Sequence, residues 1–261
     1  MSSEPASEHY RSPAPLKNRA DFNARYGNVS WFGWLAGHLD PLDGNVLDIG
    51  CGPGWFWAKN ADRLRPESLV LADLSEGMLV AARERLSSSH TIETVQLDAQ
   101  SLPFPDNAFD AVVAMHMLYH VDHPELALQE MRRVLRPGGR AIITTVDDED
   151  LAGLADLSRA IFGSSGTDLL IPVFGASRAS DLIESEFGTA THHVLRDRYM
   201  IDDTSAALDY ITSFPPGDGA GNHARAEFAK TFEEARIAAG GAFPADRIQH
   251  LFVARKAEQD Q

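Results

Sequence analysis

Three glycines at alternate positions, Gly50, Gly52 and Gly54, follow directly on the apolar run Val46-Leu47-Asp48-Ile49, and a carboxylate, Asp73, closes the next apolar run, Leu69-Val70-Leu71-Ala72. Glycine keeps side chains away from a turn that must let backbone approach a ligand. A carboxylate at the end of the following strand can accept hydrogen bonds from ribose hydroxyls. Strand, glycine turn, helix, then a strand ending in an acid is the βαβ arrangement that cradles an adenosine cofactor. The dinucleotide form needs a third glycine at the position held here by Trp55, and no P-loop pattern is present. A second group is His116, Tyr119, His120 and His123. The i, i+4 spacing of His116 and His120 would place both on one face of a helical turn. No Glu follows His116 and no third ligand is apparent, so no metal site is expected. His116 could act as a general base, since imidazole titrates near neutrality, or simply line a pocket.

These residues need elements to position them. Phe22, Tyr26, Trp31, Trp34 and Leu35 recur at roughly helical spacing between Lys17 and Leu39 and predict one or two helices. Strands are expected at Val46–Ile49, Leu69–Ala72, Ile92–Leu97, Ala111–Ala114 and Ala141–Val146, with helices over Trp55–Leu64, from Ser75 as N-cap to Leu86, and over Pro124–Leu135. After Val146 the pattern changes. The acidic run Asp147-Asp148-Glu149-Asp150 reads as a solvated loop that could also hold a cation, and a helix is expected from Leu151 to Phe162. Gly163–Gly175, with Pro172, reads as a loop. Helices at Ala179–Phe187, Ala206–Phe214 and Arg225–Ala239 flank a strand at Thr191–Met200, and Arg247–Ala254 contains the last strand. His192-His193 has no assigned role, and Phe162, Phe174, Tyr210 and Phe214 line an acceptor pocket or form ordinary cap core. Alternating strands and helices imply an α/β, doubly wound, mostly parallel sheet with its ligand at the carboxyl ends of the strands. Gly50, Asp73, Asp98 and Met115–His116 all fall at such ends.

The glycine turn with Asp73, the segment Gln96-Leu97-Asp98-Ala99-Gln100-Ser101-Leu102-Pro103-Phe104-Pro105-Asp106-Asn107-Ala108-Phe109-Asp110-Ala111-Val112-Val113, and Leu135-Arg136-Pro137-Gly138-Gly139-Arg140 stand in one order. Together they resemble class I S-adenosylmethionine-dependent methyltransferases. The likeness is to the small-molecule branch that includes ubiquinone/menaquinone-type and secondary-metabolite enzymes. It covers residues 40–146 strongly and returns weakly at Leu251-Phe252-Val253-Ala254-Arg255-Lys256. The resemblance implies a seven-stranded Rossmann-like sheet with an antiparallel last strand, in a single domain over residues 17–261. Cap elements would come from 17–40, 147–190 and 202–246, after an arm at 1–16 that reads as disordered.

The resemblance also implies roles. Gly50, Cys51, Gly52 and Gly54 would surround the methionine portion and ribose, and Asp73 would take the ribose hydroxyls. Leu74 and Met78 would be apolar walls near the adenine, Asp98 would bind its amino group and the Ala99 backbone its ring nitrogen. Met115 and His116 would lie near the methionine carbons, with Tyr26 closing the site from the N-terminal helix. S-adenosylmethionine would leave as S-adenosylhomocysteine. The acceptor would be a small molecule methylated on O, N or C. A protein that binds the cofactor without methylating, as a cyclase or regulatory module, is the alternative, and a nicotinamide-dependent oxidoreductase is a further one.

Composition limits the partners. Lys and Arg number 23 against 38 Asp and Glu in 261 residues, a formal net charge of −15. No basic run offers a footprint for phosphates, so no nucleic-acid partner is expected. The single cysteine, Cys51, excludes an internal disulfide framework. No apolar stretch approaches the roughly 20 residues of a membrane span, and the first 15 residues carry no signal core. The expected setting is the cytoplasm, as monomer or homodimer.

Overall fold

The computed structural model describes residues 14–39, 41–86 and 92–258. The expected disordered arm falls mostly outside them. Helix α1 (Ala14–Tyr26) begins inside the span assigned to that arm, and α2 (Trp31–Leu39) follows it. Then come β1 (Asn45–Ile49), α3 (Trp55–Leu64), β2 (Ser68–Asp73), α4 (Glu76–Leu86), β3 (Ile92–Gln96), β4 (Phe109–Met115), a short 3₁₀ turn (Leu118–His120), α5 (Pro124–Val134) and β5 (Leu135–Val146). The remainder is α6 (Ala152–Phe162), α7 (Gly166–Phe174), α8 (Ala176–Phe187), β6 (Ala190–Ile201), α9 (Thr204–Ile211), α10 (Asn222–Ala238) and β7 (Phe243–Arg255).

One seven-stranded sheet runs β3-β2-β1-β4-β5-β7-β6. The first five strands pair in parallel, and β7 is antiparallel to both neighbours. The continuous apolar runs of β1, β2 and β4 suit strands covered on both faces. One face packs Leu35, Phe56, Trp57 and Leu64 of α2 and α3 on Val46, Leu71, Val113 and Ile142. The other packs Leu128 and Met131 of α5 and Ile183 of α8 on Leu47, Val112, Ile143 and Phe252. A third core lies in the cap, where Phe22 and Tyr26 of α1 join Leu154, Tyr199, Tyr210, Phe228 and Phe232. Phe22 stacks on Tyr210 at 4.2 Å between ring centroids.

One expected loop is a helix. Ser165 caps α7, with a capping box in which the Asp168 side chain returns to the Ser165 N–H. Pro172 sits inside α7 and removes one hydrogen bond from its ladder. Burial of Phe174 at the end of α7, 0% exposed, and the bond from Thr145 Oγ1 to its carbonyl (2.5 Å) hold the segment on the sheet.

Candidate active site

The turn after β1 places Gly50, Gly52 and Gly54 at φ of 65°, 54° and 71°, a left-handed backbone that residues with a Cβ adopt only under strain. A Cβ on Gly50 would lie 2.7 Å from that of Met117. The turn is tied to β2 by Cys51 N–H donating to Ala72 O (3.0 Å) and by Gly52 N–H donating to Asp73 Oδ2 (2.9 Å). Asp73 Oδ1 accepts from Ser75 N–H (2.9 Å). Burial raises the pKa of Asp73, against the backbone N–H groups of Ser75, Gly52 and Leu74 that favour its charged form. Leu74, beside it, is 50% exposed, whereas Met78 is buried. Asp98, just past β3, is exposed and accepts from the backbone N–H of Gln100 (2.9 Å), and Ala99 is buried. Three adjacent strands, β3, β2 and β1, thus bring Asp98, Asp73 and the glycine turn to one edge of the sheet. The Cys51 thiol has its pKa pushed well up by burial, which suits a small turn residue rather than a nucleophile.

Across β4, Met115 ends the strand and His116 follows at φ 52°. Its backbone N–H is held by Thr144 O (3.2 Å) and Thr144 Oγ1 (3.1 Å) of β5. The ring lies under Trp31 (5.2 Å) and its Nε2 meets the Gln249 amide nitrogen of β7 at 3.3 Å. An amide nitrogen only donates, so the imidazole accepts at Nε2 and carries its proton on Nδ1. Burial, with the positive charge of Arg247 and the neighbouring His120, pushes its pKa down to about 3. His116 is therefore a neutral ring whose Nε2 is engaged, not a base poised near pH 7.

Several expectations are corrected. Tyr26 does not close the glycine turn. Its ring packs on Phe22 (5.0 Å) in the cap and its hydroxyl donates to Asp202 (3.1 Å). The residue of α1 that reaches the turn is Leu16, 4.0 Å from where a Cβ of Gly52 would stand. Ten residues of helix, about 15 Å, separate the two. The acidic run is solvated only in part, since Asp148 and Glu149 are exposed and Asp150 is buried. Asp147 accepts from His250 (2.8 Å), Asp148 from Ser177 (2.6 Å), and Asp150 is buried against Arg247 (2.9 Å). His192, without a role in the sequence, joins the first of these pairs through His250 (2.7 Å). His123 is exposed beside Glu125, and among the described residues no group of three or more His, Cys, Asp or Glu is arranged to hold a metal. Phe162, Phe174, Tyr210 and Phe214 do not form one pocket: Phe174 belongs to the sheet core and Phe162 stacks on Phe228 (5.7 Å). Sequence reasoning missed Thr144, Gln249 and Arg247. Their one signal was polar residues inside apolar strands.

The order β3-β2-β1-β4-β5-β7-β6 with an antiparallel β7, and a glycine turn and acids at its carboxyl edge, define the class I methyltransferase fold. Residues 47–143 match the methyltransferase domain family. Over 102 residues the chain is 46% identical to the ubiquinone/menaquinone biosynthesis C-methyltransferase UbiE of Pseudomonas fluorescens, covering 38% of this chain and 40% of that protein. The chain thus spans about two fifths of the length of the curated relatives it matches. Among solved structures it is similar to a candidate methyltransferase from Bacillus halodurans (TM-score 0.65, 19% identity, 88% of this chain and all of that one). It is also similar to the [4+2]-cyclase SpnF (TM-score 0.60, 23% identity, 97% and 96%). Residues 47–143 thus carry the likeness to the methyltransferase domain family, on a sheet of the same fold as the solved structures.

Proposed function

We propose that this protein transfers a methyl group from S-adenosylmethionine to a small-molecule acceptor. The observation that carries the reading is the delivery of one binding group by each of three neighbouring strands to a single edge: the positive-φ turn after β1, Asp73 at the end of β2 and Asp98 past β3. The donor set fits an adenosine. Asp73 accepts backbone hydrogen bonds on both oxygens and keeps lone-pair capacity for ribose hydroxyls. Exposed Leu74 offers an apolar wall, with Met78 behind it in the core, and Asp98 can accept from an exocyclic amine beside the Ala99 backbone. Gly50, Cys51, Gly52 and Gly54 would line the amino-acid end, with Met115 and His116 opposite.

S-adenosylmethionine supplies a methyl group already activated as a sulfonium substituent. The protein's own task is to hold the acceptor in line and keep water out. Neutral His116, fixed by Thr144 and Gln249, can present an N–H to orient the acceptor. Asp73→Ala is expected to weaken S-adenosylhomocysteine binding by about 2–3 kcal/mol through lost charge-assisted hydrogen bonds. Calorimetric titration with unchanged circular dichroism checks this, and unaltered affinity would displace the ribose from Asp73.

The reaction is tested by incubating the protein with a small-molecule pool and either ordinary or methyl-deuterated S-adenosylmethionine. Product peaks paired by three mass units would establish transfer. Tight cofactor binding with no such pair across broad pools would favour a binder that does not methylate.

A further inference from the structure

The guanidinium of Arg247 is only half used. Arg247 is 8% exposed, and the hydrogen bonds it makes among the described residues both leave from Nη1, to Asp150 Oδ2 (2.9 Å) and the Tyr210 hydroxyl (3.0 Å). Its Nε–H is buried with no partner among the described residues. Buried donors are nearly always paired, so this one asks for an explanation. Nη1 lies on the Cδ side of the group, which leaves the opposite edge, Nε–H with Nη2, facing away from Asp150. That edge is a pair of parallel donors whose spacing matches the two oxygens of a carboxylate.

Its location is equally specific. Arg247 and Gln249 alternate onto the same face of β7, and Gln249 touches the His116 ring at the end of β4. Two strand residues separate them by about 7 Å. We propose that the free Nε–Nη2 edge of Arg247 anchors the carboxylate of the acceptor, leaving the acceptor's reacting atom beside His116. This rests on the methyl-transfer reading of the site. A planar monoanion suits the anchor better than a phosphate, because Asp150 already stands on the far side of the same cation, so a carboxylate leaves one net negative charge in the group and a dianion would leave two.

The test uses benzoate and phenylacetate against their neutral amides, benzamide and phenylacetamide, titrated by ligand-observed NMR with S-adenosylhomocysteine present. The carboxylates are expected to bind about tenfold or more tightly than the amides. The double variant Arg247→Gln/Asp150→Asn, which removes the ion pair without stranding either charge, should abolish the preference and keep S-adenosylhomocysteine affinity. Should that variant not fold, Arg247→Lys retains the charge without the planar fork and should lose most of the preference. Equal binding of acids and amides, or no binding of either, by wild-type protein overturns the anchor. A carboxylate preference in protein that fails to bind S-adenosylhomocysteine would keep the anchor and sink the methyltransferase reading instead.

Discussion

Asp48 is the residue whose chemistry departs furthest from its appearance in the sequence. It sits in β1 at 1% exposure, accepts from Trp57 Nε1 (2.7 Å) through Oδ2, and has no partner for Oδ1 among the described residues. Burial pushes its pKa up to about 8, with Trp57 opposing the shift and Asp73 adding to it. Between 3.8 and about 8 the native protein holds a proton that the unfolded chain releases. The stability this contributes is complete at the acid end and lost as pH rises through that window. His116 has the opposite sign. Its pKa of about 3 against 6.5 unfolded contributes stability above 6.5 that is lost as pH falls toward 3. The two slopes oppose each other below 6.5, and only Asp48 acts from there to 8. Stability is therefore expected to fall between pH 6.5 and 8 by on the order of 1 kcal/mol per pH unit, and the melting temperature to fall with it. Asp48→Asn, which imitates the protonated acid, should flatten that slope, and scanning calorimetry at several pH values reads it. A wild-type profile flat from 6.5 to 8 would mean that Asp48 is ionised throughout.

At the scale of elements, α9 shows how the cap is held. Asp203 caps it, accepting from Ser205 N–H (2.8 Å) and Ala206 N–H (3.2 Å), and pairs with Arg25 of α1 (2.8 Å). Asp203→Ala should cost about 1 kcal/mol, mostly through the cap since the ion pair is exposed. Hydrogen exchange should quicken over residues 204–211 and stay unchanged at the glycine turn. Protection left intact across α9 would argue against the cap. Elements with strong periodicity and clear punctuation were legible in the sequence: α3 spans the predicted Trp55–Leu64, and α5 starts at Pro124 as expected. Helix α7 was hidden because Pro172 and the Gly-Ser run before it signal a loop, while what forms it is the Ser165–Asp168 box and burial of Phe174. Of the site, the groups carried by local motifs could be read. Those that meet His116 could not, because Thr144 and Gln249 arrive from β5 and β7, more than 25 residues away, and only strand pairing brings them there.

For the molecule as a whole, the aromatic cap and the sheet share residues. Tyr199 and Ile201 of β6 and Ala245 of β7 belong to the cap core while their backbones pair within the sheet. Phe228 is fully buried there, stacked between Phe162 and Phe232 (6.1 Å). Phe228→Ala should destabilise by about 3–5 kcal/mol through lost transfer energy and the cavity left behind. Because the cores share strands, the loss should appear as one transition at lower temperature. Two resolved transitions would show that the cap melts by itself.

All four tryptophans, Trp31, Trp34, Trp55 and Trp57, lie within a short stretch of α2 and α3, and the cap core described above contains only phenylalanine and tyrosine among its aromatics. Excited near 295 nm, the protein emits from the α2–α3 side of the sheet alone. With the Trp57 indole bonded directly to Asp48, that emission becomes an optical pH meter for one buried acid: its intensity should turn near pH 8 in the native protein and stay level in Asp48→Asn.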